Sequence, residues 1–184
     1  MARRKPDPAA APQSAPSPLA RLLGSLPCPE GLLAVRAGEQ TDLVAATAMW
    51  VSYDPVILAV YLRPGSTAHR LVVEARHFTF NVADESQNEA ALKAGSIRGA
   101  DAKKLAKVGL AFEAGSVPSP RIAGAAASYD CRVLKVAACG DHDLFLGLVR
   151  EWSVREGGRP VVRFGGASHR IGDALPGPAV RYPH

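Results

Sequence analysis

The spacing of apolar positions changes several times along this chain, and the changes mark out its elements. Leu19, Leu22, Leu23 and Leu26 fall at the spacing of one helical face and Pro27 follows them, which predicts a short amphipathic helix closed by that proline. Beyond it the pattern turns to short apolar runs bounded by glycine, proline, asparagine and aspartate. Strands are predicted over residues 31–36, 42–48, 56–62 and 78–82. A helical piece over 69–74 separates the last two. Further helices are predicted over 85–94 and 101–108, the second with Asp101 as its N-cap. Two long runs, 127–138 and 144–154, flank the hairpin turn Cys139-Gly140-Asp141-His142, and strands at 161–164 and 168–171 surround Gly165-Gly166. Many short strands with helices only at the connections predict a mainly β fold with peripheral helices, built as a closed antiparallel barrel. A doubly wound parallel sheet is disfavoured, because strands and helices do not alternate regularly and no G-x-G-x-x-G opens a helix.

Composition trims this picture at both ends. Residues 1–18 are rich in proline and alanine and hold no aromatic side chain, so they cannot offset their ordering entropy and are predicted to be disordered. Residues 173–184 carry three prolines and read as an extended tail. The folded domain is then 19–172, a size suited to a single core. The start, Met1-Ala2-Arg3-Arg4-Lys5-Pro6, opens like a signal peptide but has prolines where an apolar stretch belongs, and no run of eighteen apolar residues follows anywhere. Cytoplasmic residence and no membrane partner are the expectation. Cys28, Cys131 and Cys139 form no C-x-x-C pair, which agrees with free thiols in a reducing compartment.

The net charge of +5 owes much to Arg3, Arg4 and Lys5. Elsewhere bases alternate with acids, so the clustered stripe of a nucleic-acid binder is missing, while a phosphate-bearing ligand remains suited to the balance. Three stretches invite such a ligand. In Ala45-Ala46-Thr47-Ala48-Met49-Trp50-Val51 the side chains are small enough at first for a flat ring to approach the main chain, although a packed strand end explains them as well. Arg63-Pro64-Gly65-Ser66-Thr67-Ala68-His69-Arg70 offers a helix start, two hydroxyls and an arginine, the parts a phosphate monoester needs; Ser66 or Thr67 acting only as a cap is the alternative. Gly95-Ser96-Ile97-Arg98-Gly99-Ala100-Asp101 repeats the glycine-rich turn, arginine and helix start. His142 lies between two aspartates with no second histidine at ligand spacing, so a metal site is not expected, and no G-x-S-x-G elbow supports a serine hydrolase.

The order of these segments resembles the flavin reductase-like proteins with an FMN-binding split barrel. The resemblance spans about residues 19–172 and rests on seven pieces. They are Val51-Ser52-Tyr53-Asp54-Pro55, the Arg63–His69 stretch, His77-Phe78-Thr79-Phe80-Asn81-Val82, Gly99-Ala100-Asp101 before Lys104, Cys131-Arg132-Val133, Gly140-Asp141-His142-Asp143-Leu144-Phe145-Leu146-Gly147, and Gly165-Gly166-Ala167-Ser168-His169-Arg170. It implies a homodimer binding FMN, or alternatively FAD, near the subunit interface, with NAD(P)H as co-substrate. The ring would lie along Thr47, Ala48, Met49, Trp50 and Val51. The phosphate would sit near Ser66, Thr67 and the turn holding Arg98, Gly99 and Asp101, with His69 and Asn81 completing the cofactor set. His142 would be the catalytic histidine beside flavin and nicotinamide, and Gly166, Ser168 and His169 would line the same pocket. The chain departs from the family at Val44-Ala45-Ala46, Ala68, Lys103 and Ser168, where threonine-alanine-serine, threonine, an acid and a tyrosine are common. The implied activity is hydride transfer from NAD(P)H to flavin, with reduced FMN handed to a partner monooxygenase. An electron carrier without a nicotinamide site, or a split-barrel binder of haem or a deazaflavin, are the competing readings.

Overall fold

A computed structural model describes residues 17–97, 99 and 102–178. In chain order the elements are α1 (Pro18–Gly24), β1 (Cys28–Pro29), β2 (Gly31–Ala37), β3 (Gln40–Ala46), β4 (Ala48–Tyr53), β5 (Val56–Leu62), α2 (Thr67–Ala75) and β6 (His77–Val82). A 3-10 turn at Glu85–Gln87 then leads into α3 (Asn88–Ser96), followed by α4 (Ala102–Val108), β7 (Phe112–Glu113), β8 (Arg121–Ile122), β9 (Ala127–Cys139), β10 (His142–Val154), β11 (Val161–Phe164) and β12 (Ala167–Arg170). Among the described residues no helix is long and apolar enough to cross a membrane.

The fold is mainly β. Seven antiparallel strands form one sheet in the order β3-β2-β6-β9-β10-β5-β4. Its two edge strands, β3 and β4, are consecutive in sequence and only Thr47 lies between them. No ladder among the described residues joins the two edges, so the predicted closed barrel is not present as a continuous hydrogen-bonded cylinder. The single strand predicted over 42–48 is likewise two strands meeting at Thr47. A small second sheet, β1-β11-β12, is turned by Gly165 and Gly166 at φ 61° and 81°, both in the left-handed region that a two-residue hairpin loop demands.

The apolar run 31–35 is continuous because β2 is covered on both faces. Leu33 and Val35 pack with Phe78, Phe80, Val60, Phe145 and the buried side of α2, while Leu32 and Ala34 pack with Ala91 and Ala94 of α3 and with Ile122. The helix predicted over 85–94 begins instead as the 3-10 turn, because Asp84 and Gln87 form a reciprocal cap there. Helix α1 stops at Gly24, before Pro27, and its leucine face stays exposed, with Leu19, Leu22, Leu23 and Leu26 all 62–70% accessible. Residues 171–178 are exposed and carry no regular element.

Candidate functional site

Two cavities of about 560 and 620 Å³ share Val44, Arg63, Ser66 and Gly95 and form one groove along β3. As an edge strand β3 pairs only with β2, so main-chain groups along its outer side have no strand partner, and the Leu43 N–H is taken by Asp42 Oδ1 at 2.8 Å. Small side chains keep this edge approachable: Val44, Ala45 and Ala46 form one wall, and Ala91, Leu92 and Gly95 of α3 face them. The helix comes in closely at Gly95, where a Cβ would stand 3.2 Å from the Cβ of Ala45.

One end of the groove suits an anion. Ser66 is the N-cap of α2, its Oγ accepting the His69 N–H at 3.2 Å, and Thr67 is the first helical residue. Gly65, at φ 80°, turns the chain so that the first helical N–H groups open on the same lobe as Arg63 and Gly99. Lys104 reaches this lobe from α4 and is fixed by Asp42 at 2.6 Å, both side chains almost wholly buried. The capping role and the anion-binding role of Ser66 are compatible, since its hydroxyl retains a donor.

The other lobe carries the titratable groups. His142 starts β10 beside Tyr61 of β5, ring centroids 5.5 Å apart, and the Tyr61 hydroxyl accepts from Thr47 Oγ1 at 2.8 Å. His142 Nδ1 lies 2.8 Å from Asp141 Oδ1, and Asp141 Oδ2 meets the Arg63 guanidinium at 3.4 Å. The hydrogen bond from His142, then its charge and that of Arg63, hold the Asp141 carboxyl below its ordinary value. With Nδ1 committed to Asp141, Nε2 is the nitrogen left for a bound molecule. Glu30 and Arg163 close the far end. Glu30 is 2% accessible at its side chain and receives Arg163 Nε and Nη2, both at 2.7 Å.

The predicted site residues divide sharply. Thr47, Ser66, Thr67, Gly99 and His142 line the groove. Ala48, Met49, Trp50 and Val51 do not: β4 carries them past the groove, with Met49 and Val51 more than half exposed and Trp50 edge-on to Tyr129 at 5.1 Å. The slot is walled by Val44–Thr47 instead. His69 turns away to Asp143 (2.7 Å) and stacks edge-on against Phe145. Asn81 is fully buried and its amide is consumed, donating to Leu32 O and accepting from Ile122 N–H and Ser128 Oγ. Gly166, Ser168 and His169 are not among the residues lining the groove; Ser168 donates to Glu30 at 3.5 Å, and His169 is exposed and bonded to Phe164 O. Arg98 and Asp101 lie outside the described residues. Tyr61, Glu30, Arg163 and Leu92 also line the groove, and nothing in their residue types signals it; Gly95 lines it too, from the glycine-rich stretch singled out above.

The groove therefore pairs a flat slot along a strand edge with a helix start of the kind that suits an anion at one end. The residues present fit a planar ring system ending in a phosphate. Among the described residues no group of three or more His, Cys, Asp or Glu gathers as a metal site.

The sequence profile of the flavin reductase like domain matches residues 23–172. The chain is similar to the NADH-dependent FMN reductase AsuE2 of Streptomyces nodosus subsp. asukaensis, 30% identical over 160 residues covering 83% of each protein. Among solved structures it is similar to the FMN-binding protein of Thermus thermophilus, with a TM-score of 0.76 and 26% identity over 92% of this chain and 100% of that one. Nitrilotriacetate monooxygenase component B of Mycobacterium thermoresistibile superposes with a TM-score of 0.78 at 22% identity, covering 88% and 90% of the two chains. With a profile match over most of its length and the groove in place, this chain belongs to the flavin reductase-like family.

Proposed function

We propose that the protein is an NAD(P)H-dependent flavin reductase that binds FMN in the β3 groove and supplies reduced flavin to a partner monooxygenase. The observation that carries this is the coincidence, in one groove, of a free strand edge walled by small residues and the Ser66–Thr67 helix start. Bound flavin would supply the hydride acceptor, which is why no acid–base constellation is needed. The protein's part is positional. The edge of β3 orients the ring, Ser66, Thr67 and Arg63 hold the phosphate, and Val44, Leu92 and Tyr61 exclude water from the reacting faces. His142, fixed through Nδ1 by Asp141, presents Nε2 to the incoming nicotinamide. The names of the Streptomyces and Mycobacterium relatives support the NADH and monooxygenase parts of the reading.

On this reading the seven-stranded sheet is a split barrel with its seam at Thr47. The protein works as a homodimer: Met49 and Tyr61, 66% and 50% exposed, share the outer face of β4 and β5, and Tyr61 also lines the groove, so a second subunit on that face completes the pocket. The three free cysteines suit the cytoplasm.

The test is a flavin titration followed by NADH and NADPH oxidation assays. FMN should bind and accept electrons from a reduced nicotinamide. Binding without nicotinamide oxidation leaves an electron carrier, and absence of flavin binding removes the proposal. Ser66→Ala with Thr67→Ala should weaken FMN roughly tenfold or more and leave riboflavin binding nearly unchanged. His142→Ala should slow flavin reduction more than it weakens FMN affinity.

A further inference from the structure

Helix α2 begins at the groove and ends, nine residues later, at a second concavity that shares no residue with it. This concavity is about 440 Å³, within the range of small-molecule sites, and Arg76, His77, Ser116, Arg132 and Arg150 border it. Its charge is one-sided. Asp130 is taken by Arg121 and by Ser116, Glu151 by Arg121, and Glu74 by Arg70. Arg132 and Arg150 are exposed, and among the described residues neither has an ion-pair partner. His77 holds Ser119 Oγ with Nδ1 at 2.8 Å, and burial lowers its pKa, so at neutral pH it offers an uncharged ring nitrogen.

The backbone at Arg76 is the second observation. With φ 61° it is the one non-glycine residue in the left-handed region among those described. It is the C-cap of α2, a position where glycine costs least, and its backbone N–H and C=O are pinned to Val72 and Val133. Among the described residues its guanidinium makes a single long contact, 3.4 Å to Val133 O. A glycine would serve the turn at less cost, so the arginine side chain stands here at the expense of the backbone.

We propose that this concavity binds a small phosphate-bearing anion, gripped by Arg76, Arg132 and Arg150. Guanidinium forks match phosphate oxygens in pairs, and three of them around a pit of this size suit a compact ligand. The site does not depend on the flavin reading, because it uses none of the groove's residues.

Calorimetric titration of the full chain, saturated with FMN, with inorganic pyrophosphate tests this. One molecule should bind per chain, and Arg132→Ser with Arg150→Ser, both exposed positions, should weaken it roughly tenfold or more. Ser66→Ala with Thr67→Ala should leave it unchanged. Arg76→Gly should weaken pyrophosphate while raising the melting temperature, a combination that a purely structural arginine does not produce. No binding to the wild type overturns the proposal. So does binding that survives the double arginine change but disappears with Ser66 and Thr67, which places pyrophosphate in the groove. A shift in oligomeric state with the arginine change, and no response to pyrophosphate, assigns these arginines to a protein interface and also overturns it. Should FMN not bind, the same titration on the flavin-free chain tests the site alone.

Discussion

Asp84 should make this protein lose stability progressively in acid, as the pH falls from about 4 toward 2. It is 2% exposed and lies between β6 and the turn that starts α3. Burial alone would raise its pKa. Hydrogen bonds from Ser86 and from the Arg159 N–H, together with the Arg155 guanidinium, outweigh that and bring it from 3.8 to about 2. Oδ1 receives the Ser86 N–H at 3.1 Å and its hydroxyl at 2.7 Å, and Oδ2 receives the Arg159 N–H at 2.8 Å. That depression corresponds to roughly 2 kcal/mol of folding free energy. Because the folded pKa lies below the unfolded one, that contribution is complete above about pH 5 and is lost as the pH falls toward 2. Asp84→Asn keeps the shape but puts an amide where two donors need a carboxylate. The variant should be roughly 2–3 kcal/mol less stable at pH 7, with the gap to wild type closing as the pH approaches 2. Urea unfolding of both proteins at several pH values, followed by the fluorescence of Trp50 and Trp152, measures the gap. Every other group titrates in both, including Asp130, so the difference isolates Asp84. A gap that stays constant with pH would mean lost packing rather than lost charge. A gap under about 0.5 kcal/mol at pH 7 would mean that Arg155, 43% exposed at its side chain, regains in water what it loses.

Gly31→Ala should cost roughly 3 kcal/mol in urea unfolding, because its Cβ would stand 2.1 Å from Cζ of the buried Phe80 and 2.9 Å from Ala46 O. Since Ala46 belongs to the groove edge, flavin fluorescence quenching should show weaker FMN binding in the same variant. Lys104→Met should cost roughly 3–5 kcal/mol by stranding buried Asp42, and adding Asp42→Val should recover most of that stability without restoring FMN affinity. Recovery of both together would remove Lys104 from the phosphate end.

What could be read from the residues alone was whatever local chemistry decides. The paired glycines 165 and 166 signalled a tight hairpin, and both have positive φ. The alternation on either side of Gly140 gave β9 and β10, paired from Cys139 to Ala127. Ser66 could be read as a helix cap, and its Oγ accepts the His69 N–H at 3.2 Å. The break at Thr47 could not, since no glycine or proline marks it. It exists because β3 and β4 pair with different neighbours, β2 and β5, at opposite edges of the sheet. The surroundings of His69 and Asn81 could not be read for the same reason. Their side chains are claimed by Asp143 and by Leu32, Ile122 and Ser128, 74, 49, 41 and 47 residues away. Glu30 and Arg163, 133 residues apart, were invisible as a pair until β1 met β11.

The position of the groove follows from the same topology. A sheet edge left open to solvent exposes unpaired main-chain groups and invites pairing with another chain. Here the free edge of β3 is not open, because α3 lies against it, drawn close by Gly95 facing Ala45. The covered edge thus becomes a narrow slot with hydrogen-bonding groups along one side, which selects a ligand that is flat and polar at its rim. The β5–β10 ladder then sets what stands beside that slot. Pairing Asp143 with Leu62 places His142 next to Tyr61 and Arg63, and α2, the next element after β5, is capped by Ser66 at the same end of the strand. The Ser66 helix start and His142 are therefore held by one strand end and cannot drift apart without breaking the sheet. For this reason damage to β5 should abolish flavin binding and reduction together, whereas changes in β4 beyond Thr47 should reach the groove only through whatever covers its outer face.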